Sequence, residues 1–312
     1  MTSAITKKKF PRISSAAFEH PADKAALEAV RKIPVLDKVF SRLTELGFER
    51  VVRISLLGQA VHVTPKQCGK IYKLYKEAAE ILDMHEPDLF IASNPVPNAV
   101  TMGVERPVII LYSGLVEMLT EEELMAVMGH ELGHVKAGHV LYKTIAYFLV
   151  RMAQQLLGVG AGGVAGALLQ AALFDWSRKS ELTADRAEML VAQDLDVCIR
   201  LHMKLASGSG KIYDQMDTKE FLRQADSYED LDHSTLNKFY KILPESSLSH
   251  PLSVFRAKEV KAWSESKQFK EIMEGRYPTM DQDLSVRSCP HCEAKVSPSF
   301  FFCPDCGKST RV

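Results

Sequence analysis

The sequence predicts an α+β fold: a mostly helical domain carrying one small β-sheet, followed by a small C-terminal module built on cysteines. Three observations carry this expectation. Helical apolar periodicity fills most of residues 21–275. Three short apolar runs sit together between residues 89 and 112, separated by Asn, Pro and Gly. Four of the six cysteines crowd into the last 24 residues.

Bulk composition bounds the rest. A chain of 312 residues can bury one large core and carry an appendage. With 46% hydrophobic and 25% charged residues it is not a disordered chain. Lys plus Arg equals Asp plus Glu, at 39 each. Such a balance gives no global attraction to nucleic acid, and no nucleic-acid partner is expected. The opening MTSAITKKKF has a basic run with no apolar run behind it, so no secretory signal is expected and the location expected is cytoplasmic. Clustered rather than dispersed cysteines point to a reducing compartment.

The elements follow in order. Residues 1–20 are basic and expected to be flexible. Helical patterns cover 22–31 and 35–46, parted by Pro34. The branched segment at 49–57, ERVVRISLL, reads as a strand. Thr64 and Pro65 suit the start of a helix running to Met84. The sheet is expected from LFIAS (89–93), NAVTMG (98–103) and PVIILY (107–112). Ser113 opens a short helix. Thr120 and Glu123 then form a capping-box pattern for a helix over 121–140. Residues 152–174 hold no charge but five glycines and three glutamines. Two settings suit that stretch: a buried, glycine-kinked helical hairpin, or a peripheral or re-entrant membrane contact on the cytoplasmic face. Helices are expected again over 181–193, 195–206, 217–227, 234–242 and 257–273. Residues 276–288 read as a linker and 289–312 as a zinc ribbon.

The chemistry centres on His-Glu-Leu-Gly-His at 130–134. Histidines four apart share one helix face, so both imidazoles can reach one ion. Glu131, beside the first, can take a proton from water held there. Gly133 is expected to leave room near the metal. A zinc site of this kind needs a third protein ligand. Ser-Glu-Leu-Thr-Ala-Asp at 180–185 offers Glu181 for that place. It also offers Asp185 to accept the outer N–H of a liganding histidine and fix its tautomer. At the other end, Cys289, Cys292, Cys303 and Cys306 stand as two Cys-Pro-x-Cys knuckles, the spacing of a closed, structural zinc site. Phe300, Phe301 and Phe302 are candidates for its minimal core, while His62 and His291 read as bystanders. Two zinc ions are therefore expected, one catalytic and one structural.

The segments GHELGHVKAGH and SELTADRAEML resemble the M48 family of zinc peptidases, which includes the HtpX heat-shock proteases and the CAAX-prenyl proteases. The resemblance covers about residues 20–275. It implies a zincin-like metallopeptidase domain, with His130, His134 and Glu181 as zinc ligands, Glu131 as general base and Asp185 behind the ligands. It implies that Asn98 and Ala99 line the cleft, where a strand can pair with substrate backbone. The HPLSVFR segment resembles the family's late HPxxxxR pattern. This implies His250 as stabiliser of the oxyanion and Arg256 as a residue orienting it or the substrate. The activity implied is endopeptidase cleavage of proteins or peptides, with a role in protein quality control. The alternative is a catalytically silent metallopeptidase fold that binds proteins through its ribbon.

Overall fold

The computed structural model describes residues 7–32, 47–103, 106–156, 164–230, 252–280 and 287–296, with Cys303, Cys306 and Thr310. The helical patterns at 35–46 and 234–242, His250 and Phe300–Phe302 lie outside these residues.

Helix α1 (Pro21–Arg31) is capped by the His20 ring, which accepts from the Ala22 amide, with Pro21 at its first position. Residues 7–20 ahead of it are not loose. Phe10, Ile13, Ala17 and Phe18 are buried in the main core. The Phe10 amide donates to the Ile81 carbonyl and the Ser14 amide to the Pro278 carbonyl. Four apolar side chains among the basic ones outweigh the basic composition, and they also tie down the start of the expected linker.

The segment expected as a strand at 49–57 is helix α2 (Phe48–Gln59). Its branched residues are spaced for a helix: Val52 and Leu56 face the sheet, while Val51, Ile54 and Leu57 face outward. Only Ala60–His62 is extended, as β1. Residues 64–67 form a tight bridge between Thr64 and Gln67 rather than a cap. Helix α3 (Gly69–Ile81) begins after them, with Cys68 left-handed at φ 59°.

The expected strands are present as β2 (Asp88–Ala92), β3 (Ala99–Met102) and β4 (Val108–Tyr112). Their order is β1-β2-β4-β3; β2 and β4 are parallel and the other two pairs antiparallel. Phe90, Val108 and Ile110 pack under α2, and Leu89, Ile109 and Leu111 enter the main core. Burial on both faces explains the unbroken apolar run of β4. Strand β3 is an edge.

Helix α4 (Ser113–Met118) leads to α5 (Glu121–Lys136), whose capping box between Thr120 and Glu123 is fully formed. Helices α6 (Val140–Leu156) and α7 (Val164–Ala192) take in residues 152–156 and 164–174 of the uncharged stretch, and residues 157–163 lie outside the described residues. The Ala- and Leu-rich sequence from 164 propagates straight through 181, so Glu181 and Asp185 lie deep within one helix rather than at the start of another. No helix among the described residues is long and apolar enough to cross a membrane.

Helix α8 (Leu195–Ser207) is capped by Asp194, and α9 (Thr218–Asp230) follows. The single helix expected over 257–273 is two, α10 (Ser253–Ser264) and α11 (Lys267–Met273), because Ser266 caps a new start on the Phe269 amide. Two-residue strands β5 (Arg287–Ser288) and β6 (Lys295–Val296) pair near the cysteines.

The core of the site is the α5–α7 contact. A Cβ on Gly129 would lie 2.6 Å from Val191 Cβ, and one on Gly133 would lie 2.6 Å from Ala187 Cβ. The two glycines thus let the helices approach closely. Gly133 makes room for α7, not for the metal.

Candidate metal centres

One turn of α5 presents His130 and His134 side by side, with ring centroids 4.8 Å apart and planes at 88°. Close packing on α7 brings Glu181 against both. Glu181 Oε2 is 3.3 Å from His130 Nε2, and Oε1 is 3.3 Å from His134 Nε2. Tetrahedral zinc about 2.1 Å from each ligand sets its ligands about 3.4 Å apart, so both separations, one through each carboxylate oxygen, suit it. All three side chains are buried. Two imidazoles and a carboxylate with one position left open are the donor set of catalytic zinc.

The surroundings hold each ligand. Asp185 Oδ1 is 3.0 Å from His130 Nδ1. Arg256, buried on α10, donates from Nε to Asp185 Oδ2 at 2.8 Å and from Nη2 to Oδ1, and its Nη1 lies 3.3 Å from Glu181 Oε2. Arg256 thus touches both Asp185 and Glu181. Burial opposes charge on His130, but Asp185 and Glu181 outweigh it and lift its pKa to about 9. Burial and the neighbouring Lys143 ammonium instead hold His134 well below the usual range. Burial raises Asp185, yet the Arg256 guanidinium overrides it and keeps the carboxyl strongly acidic.

Three further groups were not legible in the sequence. Thr101 on β3 donates its hydroxyl to Glu131 Oε2. Lys143 on α6 donates to Glu181 Oε1 at 2.6 Å and to His134 Nε2 at 2.8 Å. Glu188, one turn beyond Asp185, lies 3.5 Å from His202 on α8, and burial followed by the Asp185 charge lifts it to about 8. A threonine, a lysine and a glutamate carry no spacing signal of their own; only the tertiary fold gathers them. Ala99 is buried on the edge strand β3 and Asn98 immediately precedes it, beside the strand that carries Thr101.

The second centre gathers Cys289, Cys292, Cys303 and Cys306. Cys289 Sγ is 3.8 Å from Cys306 Sγ, and Cys292 Sγ is 3.6 Å from Cys303 Sγ. These gaps are too wide for disulfides. They match the separation of about 3.8 Å between thiolates on tetrahedral zinc. Burial raises the Cys289 thiol, but amide donors from His291 and Cys292 outweigh it and favour the thiolate.

The model of peptidase family M48 matches residues 65–264, which span the whole histidine–glutamate cluster. The chain belongs to peptidase family M48. The plastoglobule-localized metallopeptidase 48 of Arabidopsis thaliana is 37% identical over 272 residues, 86% of this chain and 78% of that protein. A protease HtpX homolog of Moorella thermoacetica is 35% identical over 96 residues, 30% of this chain and 32% of its own. Metalloprotease LoiP of Escherichia coli is 42% identical over 69 residues, 22% of this chain and 27% of its own. The last two matches thus span a third or less of those relatives' lengths. No solved structure matches the chain. As an M48 peptidase with both clusters formed, the protein is a zinc-dependent metalloprotease with one catalytic and one structural zinc site. Its substrates are proteins or peptides.

Proposed function

We propose that this M48 peptidase is an endopeptidase that cleaves extended protein segments laid along the β3 edge, with Glu131 as its general base. The observation that carries this is the set of 3.3 Å separations joining Glu181 to His130 and His134, with Glu131 next to the first histidine on the same turn. His130, His134 and Glu181 would hold the zinc, which when bound supplies Lewis acidity toward water and the scissile carbonyl.

The remaining work falls to the chain's own side chains. Glu131 takes a proton from the attacking water and delivers it to the leaving amine nitrogen. Thr101 holds the Glu131 carboxylate in register with the edge strand. Asp185 accepts from His130 Nδ1–H, so that Nε2 of the ring faces the metal position. Arg256 anchors Asp185 and balances the Glu181 charge. Asn98 and Ala99 stand at the β3 edge, where an extended peptide can pair with the backbone. His250 is assigned to the oxyanion. The uncharged stretch at 152–174 is assigned a peripheral contact with a lipid surface. In support, the Arabidopsis relative is by its name plastoglobule-localized. The cytoplasmic setting and a part in protein quality control belong to the same reading.

The test compares wild type with Glu131→Gln on an unfolded protein substrate, alongside zinc content. Two zinc ions per chain in both, with cleavage by wild type alone, supports the proposal. Equal cleavage by both proteins would remove Glu131 from its role. Cleavage by neither, with both zinc ions bound, would favour a silent scaffold.

A further inference from the structure

Behind the second histidine lies a run of buried polar side chains that the peptidase reading leaves unused. His134 Nδ1 is 3.0 Å from His139 Nδ1. His139 Nε2 is 2.9 Å from Asp23 Oδ2 on α1. Asp23 also accepts from the Trp176 indole at 2.9 Å and from the Thr183 hydroxyl. That hydroxyl accepts from the His20 amide at 3.0 Å, so its own proton is available for Asp23. Every side chain in the run is at most 1% exposed.

The proton positions follow from the partners. Lys143 has only protons to offer, and it offers one to His134 Nε2. That nitrogen therefore carries none, as a metal there would also require. The His134 proton sits on Nδ1 and is donated to His139 Nδ1. The His139 proton is then on Nε2, facing Asp23. That last contact is close but off the best hydrogen-bond line, so its pull on the ring is electrostatic. Burial would raise the Asp23 carboxyl, yet His139, Thr183 and Trp176 outweigh it and hold it below the usual carboxylate range.

We infer that Asp23 and His139 form a relay that orients His134 for zinc and increases its basicity, making α1 part of the metal site. This rests on the reading of His134 as a ligand. A carboxylate behind a liganding histidine fixes its tautomer and strengthens the bond to the metal. His130 has such a carboxylate directly, in Asp185. His134 reaches one through a second imidazole. The carboxylate lies on a helix outside residues 65–264, the span that the family model matches. His139 and Asp23 are positioning residues, since neither touches the place of the reacting atoms.

The experiment measures zinc affinity in the full-length protein by competition with a chromophoric chelator, with melts of the metal-free proteins alongside. Glu181→Ala identifies which binding step belongs to the catalytic site. His139→Phe keeps the ring against Trp176, 5.6 Å away between centroids, but removes the acceptor. It is expected to weaken the catalytic step about 10- to 100-fold and leave the ribbon step unchanged. His139→Asn, whose Oδ1 falls near the place of Nδ1, is expected to restore most of that loss. Asp23→Asn is expected to weaken the step about tenfold. A folded His139→Phe that binds both zinc ions as tightly as wild type overturns the relay. If His139→Phe fails to melt cooperatively, unchanged affinity in Asp23→Asn overturns it instead. A wild type that binds only the ribbon zinc would sink the peptidase reading, an outcome separate from either.

Discussion

Glu131 and Thr101 meet across the gap between α5 and the edge strand, and this pair carries the sharpest prediction at the scale of single residues. A hydrogen bond to a charged group contributes about 1.5–3 kcal/mol. Thr101→Val is therefore expected to lower kcat about tenfold or more with KM little changed, and Thr101→Ser to recover most of the rate. Steady-state kinetics on a short peptide would show it; a normal kcat in Thr101→Val would mean that the hydroxyl does not position the base. Loss of the base itself, in Glu131→Gln, should cost about 10²–10⁴ in rate. The meeting of His130 and His134 was legible in the sequence because positions four apart share one helix face. Thr101, Lys143 and Asp23 were not, because each arrives from a different element and depends on the packing between them.

Helix contacts set the second scale. Gly129 and Gly133 let α5 and α7 approach until no Cβ fits between them. A Gly→Ala change normally gains about 1 kcal/mol of helix propensity. Here overpacking costs about 1–3 kcal/mol, so Gly133→Ala is expected to lower Tm. It should also weaken zinc binding, because the helix pushed away carries Glu181. A thermal melt and a zinc titration check both; a raised Tm with full zinc affinity would show that α7 gives way freely. The capping box at Thr120, the sheet strands and α8 were readable from local signals. Helix α2 was misread because β-branched residues suggested a strand, while the i, i+3 spacing of Val51, Ile54 and Leu57 carried the truth. The joined length of α7 was missed because the sequence changes from uncharged to charged at Asp175, although no glycine or proline interrupts residues 167–192.

Across the whole molecule, the two metal centres have different dependencies. The peptidase core is extensive and buried without help from metal. Among the described residues the ribbon's core is Met280, Cys289, Val296 and Cys303; a module this small takes its folding energy from the ion. Replacing Cys289 and Cys303 together with Ser is expected to reduce bound zinc from two ions to one while leaving cleavage of a short peptide intact. Elemental analysis with a peptide assay would show this; loss of both ions would mean that the ribbon supports the catalytic site. The C-terminal cysteine cluster was legible from cysteine spacing. The burial of Phe10, Ile13 and Phe18 was not, because composition averages those few anchors with the basic residues around them.

If His130, His134 and Glu181 together hold catalytic zinc, zinc per chain in Glu181→Gln beside wild type shows it. Two ions are expected in wild type, one in the variant, and no cleavage of an unfolded protein by the variant. Two tightly bound ions in Glu181→Gln, with cleavage retained, would contradict it.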